Sequence, residues 1–185
     1  LEEAQPSLFA QQEQPLEVEK EKPYENRTII VNTESVLNEM IQTLRAAPII
    51  GLDTETTGVE AMSCDLVGIS LAAESGTGYY IPLGHKSNES QLSLDLVCEK
   101  LGPVLAEASL PKAGHNIKYD MMVLARHGMP VKGIQFDTMI AGWILDPESR
   151  QLGLKPMAKS LLGIHMTEIE TLIGKGKQQI TMDLV

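Results

Sequence analysis

Apolar residues first fall into a regular pattern at Thr28 to Val31, a short β-branched run that predicts a strand. From Asn32 and Thr33, either able to cap a helix, the spacing becomes helical: Val36, Leu37, Met40, Ile41 and Leu44 share one face. That helix ends near Ala46-Ala47-Pro48, where proline cannot continue it. Ile49, Ile50 and Leu52 then predict a buried strand closed by Gly58. Leu66 to Ala72 and Tyr79 to Leu83 predict two more strands around the turn Glu74 to Gly78, so three antiparallel strands form a meander. Leu92 to Ala108 returns to helical spacing, with a kink expected at Gly102-Pro103. Leu110 to Gly114 follows a helix and is expected to pair parallel to the 49–52 strand. A helix opens at Asn116 and stops at Gly128, another runs from a cap at Asp137-Thr138 to Ile144, and a short one runs from Lys155 to Leu162 before Gly163. This order describes an α/β fold, a mixed β-sheet of antiparallel meander plus parallel strands flanked by helices.

Chemistry enters at the end of the strand Pro48 to Gly58, where the run reads GLDTETTG. Residues two apart share a strand face, so Asp53 and Glu55 project together while Thr54 and Thr56 point the other way. Two like charges side by side oppose each other's ionisation unless a cation separates them. Hard carboxylate oxygens suit magnesium or manganese better than zinc. In the helix after Gly114, Asn116 and Asp120 lie four apart on one face beside the buried stripe Ile117, Met121 and Leu124. Alone, that pair reads as a capping Asn and a solvated Asp. Together with Asp53 and Glu55, it supplies the carboxylates for two divalent ions, which sit roughly 3.5 to 4 Å apart and clamp the two oxygens of a phosphoryl displacement.

Composition adjusts this picture in three places. The chain has 185 residues, 43% of them hydrophobic but only 4% aromatic, which fits one domain with an aliphatic, methionine-filled core. Its net charge of −10 argues against a broad electrostatic grip on duplex nucleic acid. Half of that charge lies in residues 1 to 25, where seven Glu meet two Lys, and residues 1–24 are expected to be a flexible acidic linker in which Leu8 and Phe9 stay unstructured. Cys64 and Cys98 give neither a disulfide framework nor a metal pattern, so a reducing compartment fits. No stretch reads as a membrane span or signal segment. Trp143 falls on an apolar helix and is expected to pack in the core. Gly174 to Lys177 is a basic glycine-rich loop without P-loop spacing, a solvated turn or a backbone contact for nucleic acid.

The ordered runs GLDTETTG, DLVGISLA, GYYIPLGH, GHNIKYDMMVLARHG and FDTMIAGWILDP resemble the 3'-5' proofreading exonuclease domain of bacterial family A DNA polymerases, a DnaQ-like, ribonuclease H-like fold. The similarity extends from about Tyr24 to the C-terminus, with Gly174 to Thr181 matching in character, and makes residues 25–185 the exonuclease domain. The resemblance implies Asp53, Glu55 and Asp120 as catalytic metal ligands for two Mg2+ ions, with Mn2+ as substitute. It implies Thr56, Val59, Asn116 and Tyr119 as substrate-binding residues, the aliphatic Val59 helping to hold a frayed base. It further implies a single-stranded DNA 3' end as substrate, a polymerase domain in the same parent chain, a monomer, and a cytoplasmic, nucleoid-associated place in a bacterium. One departure stands out. The third motif of the family, a Tyr and an Asp four residues later, belongs beyond Lys177, and the chain reaches Val185 without it. Asp183 has no Tyr at the right spacing, so the 185-residue stretch alone is expected to bind metal weakly and cleave poorly. An RNase D-like exoribonuclease shares the first two motifs, and a silent nucleic-acid-binding domain is the non-enzymatic alternative.

Overall fold

The structure is a computed structural model that describes residues 27 to 185; the expected linker over residues 1–24, with Leu8 and Phe9, lies outside the described residues. Six strands form one sheet in the order β1-β4-β3-β2-β5-β6. These are β1 (Arg27–Ile30), β2 (Ile50–Thr56), β3 (Leu66–Glu74), β4 (Thr77–Pro82), β5 (Lys112–Gly114) and β6 (Ile134–Asp137). The meander β2-β3-β4 is antiparallel as its short connections require, and β1, β5 and β6 add parallel partners after longer crossovers. β6 is the one strand that the hydrophobic pattern does not announce.

Four longer helices follow the expected segments: α1 (Glu34–Ala46), α2 (Leu94–Ala106), α3 (Ile117–Arg126) and α4 (Thr138–Leu145). Thr33 caps α1 by accepting from the Val36 N–H, which confirms the capping position and fixes the start of the helix. Leu37, Met40 and Leu44, at helical spacing, are fully buried. α2 runs unbroken through Pro103, and Ser93 caps it. Val97, Leu101 and Leu105 of α2 and Val123 and Leu124 of α3 join the α1 stripe and the sheet residues Leu52, Ile69 and Ile81 in one core.

In β2, Ile50, Leu52 and Thr54 are buried on the helix-covered face, whereas Gly51, Asp53 and Glu55 lie on the other. Alternation along one central strand therefore sets the acids on the open side. A cavity of about 470 Å³ lies on that side, lined by Gly51, Asp53, Ser70, Ala72, Tyr80 and His115 among others. Gly114 ends β5 where a Cβ would approach the Leu52 carbonyl to 2.8 Å, so a side chain there would push the following helix away from β2.

The C-terminal third departs from expectation. Trp143 is 55% exposed, and α4 has no buried residue; Ile140, Ile144 and Leu145 are exposed with it. The apolar run does predict the helix correctly, but among the described residues no element covers its outer face, so core packing does not follow. The segment after it is α5 (Leu154–Met157), continued by a wider π-helical turn over Ala158–Leu162 and closed by Gly163 in the left-handed conformation. α6 (Ile169–Ile173) is followed by two 3-10 turns, Gly176–Gln178 and Met182–Leu184.

Candidate active site

Asp53 and Glu55 leave the central strand on its open face, and Asp120 comes to them from the first turn of α3. Asp120 is not the solvated residue that its helical position alone suggests: it is only 2% exposed. Its Oδ1 accepts from the Thr54 backbone N–H at 2.9 Å and from the Thr54 hydroxyl at 2.6 Å. The threonine that points away from the acidic pair thus ties the third carboxylate to the same strand.

The three carboxyls act on one another. Burial, opposed by the Thr54 hydroxyl and reinforced by the nearby Asp53, pushes Asp120 up to about 6. Glu55 is raised by burial and then by the charges of Asp53 and Asp120. Asp53 is raised by loss of water around its carboxyl, against the Thr54 N–H and the charge of His115. None of the ion pairs among the described residues includes any of the three. The charge of Lys155 lowers Glu55 only in part, and a cluster of acids that forms no ion pair is the donor chemistry that a hard divalent cation satisfies. Among the described residues no three His, Cys, Asp or Glu side chains form a closed ligand set, and both Thr54 bonds hold Asp120 through Oδ1. The acids are neighbours without forming a finished cage.

The residues expected to touch substrate divide into two kinds. Val59 is 95% exposed and Asn116 is the only described residue other than glycine with positive φ, at 54°. Asn116 tolerates that left-handed conformation better than most residues, and its side chain makes no capping bond, which leaves it free for another partner. Thr56 and Tyr119 are instead engaged with each other. Their hydroxyls meet at 2.7 Å, and each lies 2.7 Å from the Gly58 carbonyl, with the Cys64 Sγ 3.4 Å from the tyrosine. Burial, with the Cys64 thiol next, raises Tyr119 to about 12, so it remains a neutral phenol. Asp183 is buried, its Oδ2 paired with Lys86 at 2.7 Å and its Oδ1 without a hydrogen-bond partner among the described residues.

Three supports escape the sequence reading. Strand alternation points Thr54 away from Asp53, which hides its hold on Asp120. Asp137, expected only to cap its own helix, accepts from the N–H groups of Met139 and Ile140 and also from those of Asn116 and Ile117. One carboxylate therefore starts two helices. Burial opposes its charge, but the four backbone donors prevail and hold it below the usual carboxylate range. His115 places Nδ1 2.8 Å from the Thr138 hydroxyl, while its Nε2 is buried without a partner. Thr54 and His115 each sit one residue from a motif residue and Asp137 only at its own capping position, but the contacts that matter cross between segments.

A mixed six-stranded sheet with helices on its faces, bearing acids at the end of a central strand and at the start of an adjoining helix, is the architecture of ribonuclease H-like nucleases. Comparison with known proteins agrees in fold: the chain superposes on Escherichia coli RNase D, an exoribonuclease involved in structured RNA processing, with TM-score 0.62 at 19% identity, covering 78% of this chain and 36% of that one. It also superposes on Brucella melitensis NrnC with bound Mg2+, with TM-score 0.55 at 19% identity, covering 76% of this chain and 62% of that one. Sequence goes further. A profile of the 3'-5' exonuclease family matches residues 28–183, and the chain belongs to that family. It is 41% identical over 177 residues to DNA polymerase I of Chloroflexus aurantiacus, across 95% of this chain and 18% of that protein. The chain thus corresponds to less than a fifth of the polymerase it matches, and within it is homologous to the exonuclease domain.

Proposed function

We propose that this chain is the proofreading part of a DNA polymerase, removing nucleotides one at a time from single-stranded 3' ends of DNA. The observation that carries the reading is the trio Asp53, Glu55 and Asp120, each raised by burial, Glu55 and Asp120 also by neighbouring carboxylates, and none of them in an ion pair among the described residues. These residues would hold Mg2+, two ions in the full site, with Mn2+ as substitute; the Mg2+ bound in the Brucella NrnC structure of the same fold supports the choice. When bound, the ions supply charge neutralisation and water activation at the scissile phosphate.

The chain's own residues do the rest. Asp53 and Glu55 present oxygens from a strand fixed on both sides, and Thr54 holds Asp120 beside them. The free amide of Asn116 at the mouth of α3 is placed to orient the terminal nucleotide, and Val59 offers an apolar surface to an unpaired base. Thr56 and Tyr119 support that surface through Gly58 as well as bordering the substrate. A mismatched terminus is selected because unpairing it costs less than unpairing a matched one. The bulk of the relative's length outside the match supports a polymerase domain in the same parent chain.

The test uses the full-length protein. Asp53→Ala and Glu55→Ala are each expected to abolish metal-dependent release of nucleotides from a single-stranded DNA oligonucleotide while primer extension continues. Undiminished release by either variant refutes the assignment, and faster degradation of a matched RNA oligonucleotide transfers the activity to the RNase D-like class.

A further inference from the structure

Between β2 and β3, residues 57 to 65 form a loop that is held far more firmly than its length requires. The Thr57 N–H donates to the Asp65 carbonyl at 3.0 Å and the Asp65 N–H to the Thr57 hydroxyl at 2.9 Å, which closes the base. Inside it, the N–H groups of Ser63 and Cys64 turn back onto the Glu60 carbonyl. Ala61 and Cys64 are buried in the core. Two side chains of α3 hold the loop from opposite ends: Tyr119 donates to the Gly58 carbonyl, and Arg126 donates from one nitrogen to the carbonyls of Ala61 at 3.0 Å and Cys64 at 2.7 Å. Despite this anchoring, Val59 and Met62 stand 95% and 62% exposed. A loop fixed at five points that still shows two apolar side chains to water is prepared for an apolar partner rather than left unfinished.

We propose that Arg126 is a positioning residue of the exonuclease site, locking the Val59 and Met62 loop to the helix that carries Asp120, so that the base-holding surface and the metal-binding carboxylates keep one fixed spacing. Arg126 sits in the last turn of α3 and Asp120 in the first, so a single rigid helix sets both. A guanidinium bridging two carbonyls forms charge-assisted bonds that a neutral side chain does not replace. The ligand class is the unpaired nucleobase of a 3' end, with Met62 a second apolar contact beside Val59. The inference rests on the function proposed above.

Steady-state kinetics of the full-length protein on a single-stranded DNA oligonucleotide separate the possibilities. Arg126→Gln is expected to raise KM about tenfold with kcat within about twofold, since loosened positioning weakens nucleotide binding before it touches the chemistry. Arg126→Lys, which can still donate to one carbonyl, is expected to recover part of the loss. Hydrogen exchange at amides 61 to 64 is expected to accelerate in the Gln variant while amides of β2 keep their protection. If exchange accelerates and KM stays at the wild-type value, or if kcat alone falls, the positioning role is overturned. Should Arg126→Gln unfold, Met62→Ser, on the exposed side, carries the same test: unchanged KM removes the second apolar contact and with it the need for the lock. Asp53→Ala run in parallel separates the levels: silence in that variant with wild-type behaviour in both others overturns this inference alone, whereas full activity in it overturns the function itself.

Discussion

Thr54 and Asp120 show how a buried acid can be held beside a pair of strand carboxylates by a residue whose side chain faces away from that pair. Asp120 is raised to about 6, with burial the largest cause, so in the folded metal-free protein its neutral form is favoured relative to the unfolded chain. A carboxyl raised in this way contributes stability that is fully present below its unfolded value near 3.8 and lost as pH rises through about 6. Asp53 and Glu55 are shifted in the same direction. The melting temperature of the metal-free protein is therefore expected to rise as pH is lowered from about 6.5 to about 4.5, measured by calorimetry in EDTA. Asp120→Asn removes most of that slope, and an unchanged slope contradicts the assignment. Metal binding works the other way, because the ligands must ionise, so Mn2+ affinity measured by titration calorimetry falls as pH is lowered across the same interval. At this scale the sequence was informative about type and spacing. Asp53 and Glu55 could be placed on one face from periodicity alone, whereas the depth of Asp120 depends on the close approach at Gly114 and on a hydroxyl 66 residues away.

The decisive connection between elements is Asp137, at the junction of β6 and α4. Its carboxylate satisfies N–H groups at the starts of both α3 and α4, so the helix that carries Asp120 begins where β6 ends. Asp137→Ala leaves two helix starts without their acceptor and is expected to cost roughly 2 to 4 kcal/mol, twice an ordinary cap, read by urea denaturation. Because the group is held below its usual range, its contribution is present above about 3.8 and fades as pH falls through the lower folded value. A loss no greater than a surface substitution gives would show that the caps are not shared in solution. α1 was legible to the residue at its cap, since Thr33 and the stripe behind it are local signals. β6 was not: its four residues are half-exposed, carry no alternation, and become a strand only by pairing with β5. The same distinction explains Trp143. Apolar content reports that α4 is a helix, and tertiary neighbours decide which side of it is covered.

Across the whole molecule, exposed large apolar side chains concentrate after Phe136: Ile140, Trp143, Ile144, Leu145, Leu161 and Leu162 among them. Surfaces of that kind drive association or dye binding when nothing covers them. The 185-residue chain alone is expected to sediment with a concentration-dependent mass in the micromolar range and to bind a hydrophobic dye at neutral pH. Trp143→Ser is expected to weaken both, and a strictly monomeric, dye-silent chain would contradict an open apolar face. The fold class and the family were readable from ordered runs distributed along the sequence, because each run marks an element. The support of each element by the next was not, since it depends on contacts between residues about twenty to more than sixty positions apart.

β2 lies between an antiparallel neighbour and a parallel one, inside a sheet whose margins are β1 and β6. Local opening in such a sheet begins at its borders, and an interior strand is released only with the cooperative loss of the whole. Asp53 and Glu55 therefore ride on an interior strand, while Val59 and Asn116 stand on a loop and a helix end around it. On the function proposed above, sequence drift in that loop and helix end would retune which ends are accepted without disturbing the acids on the strand.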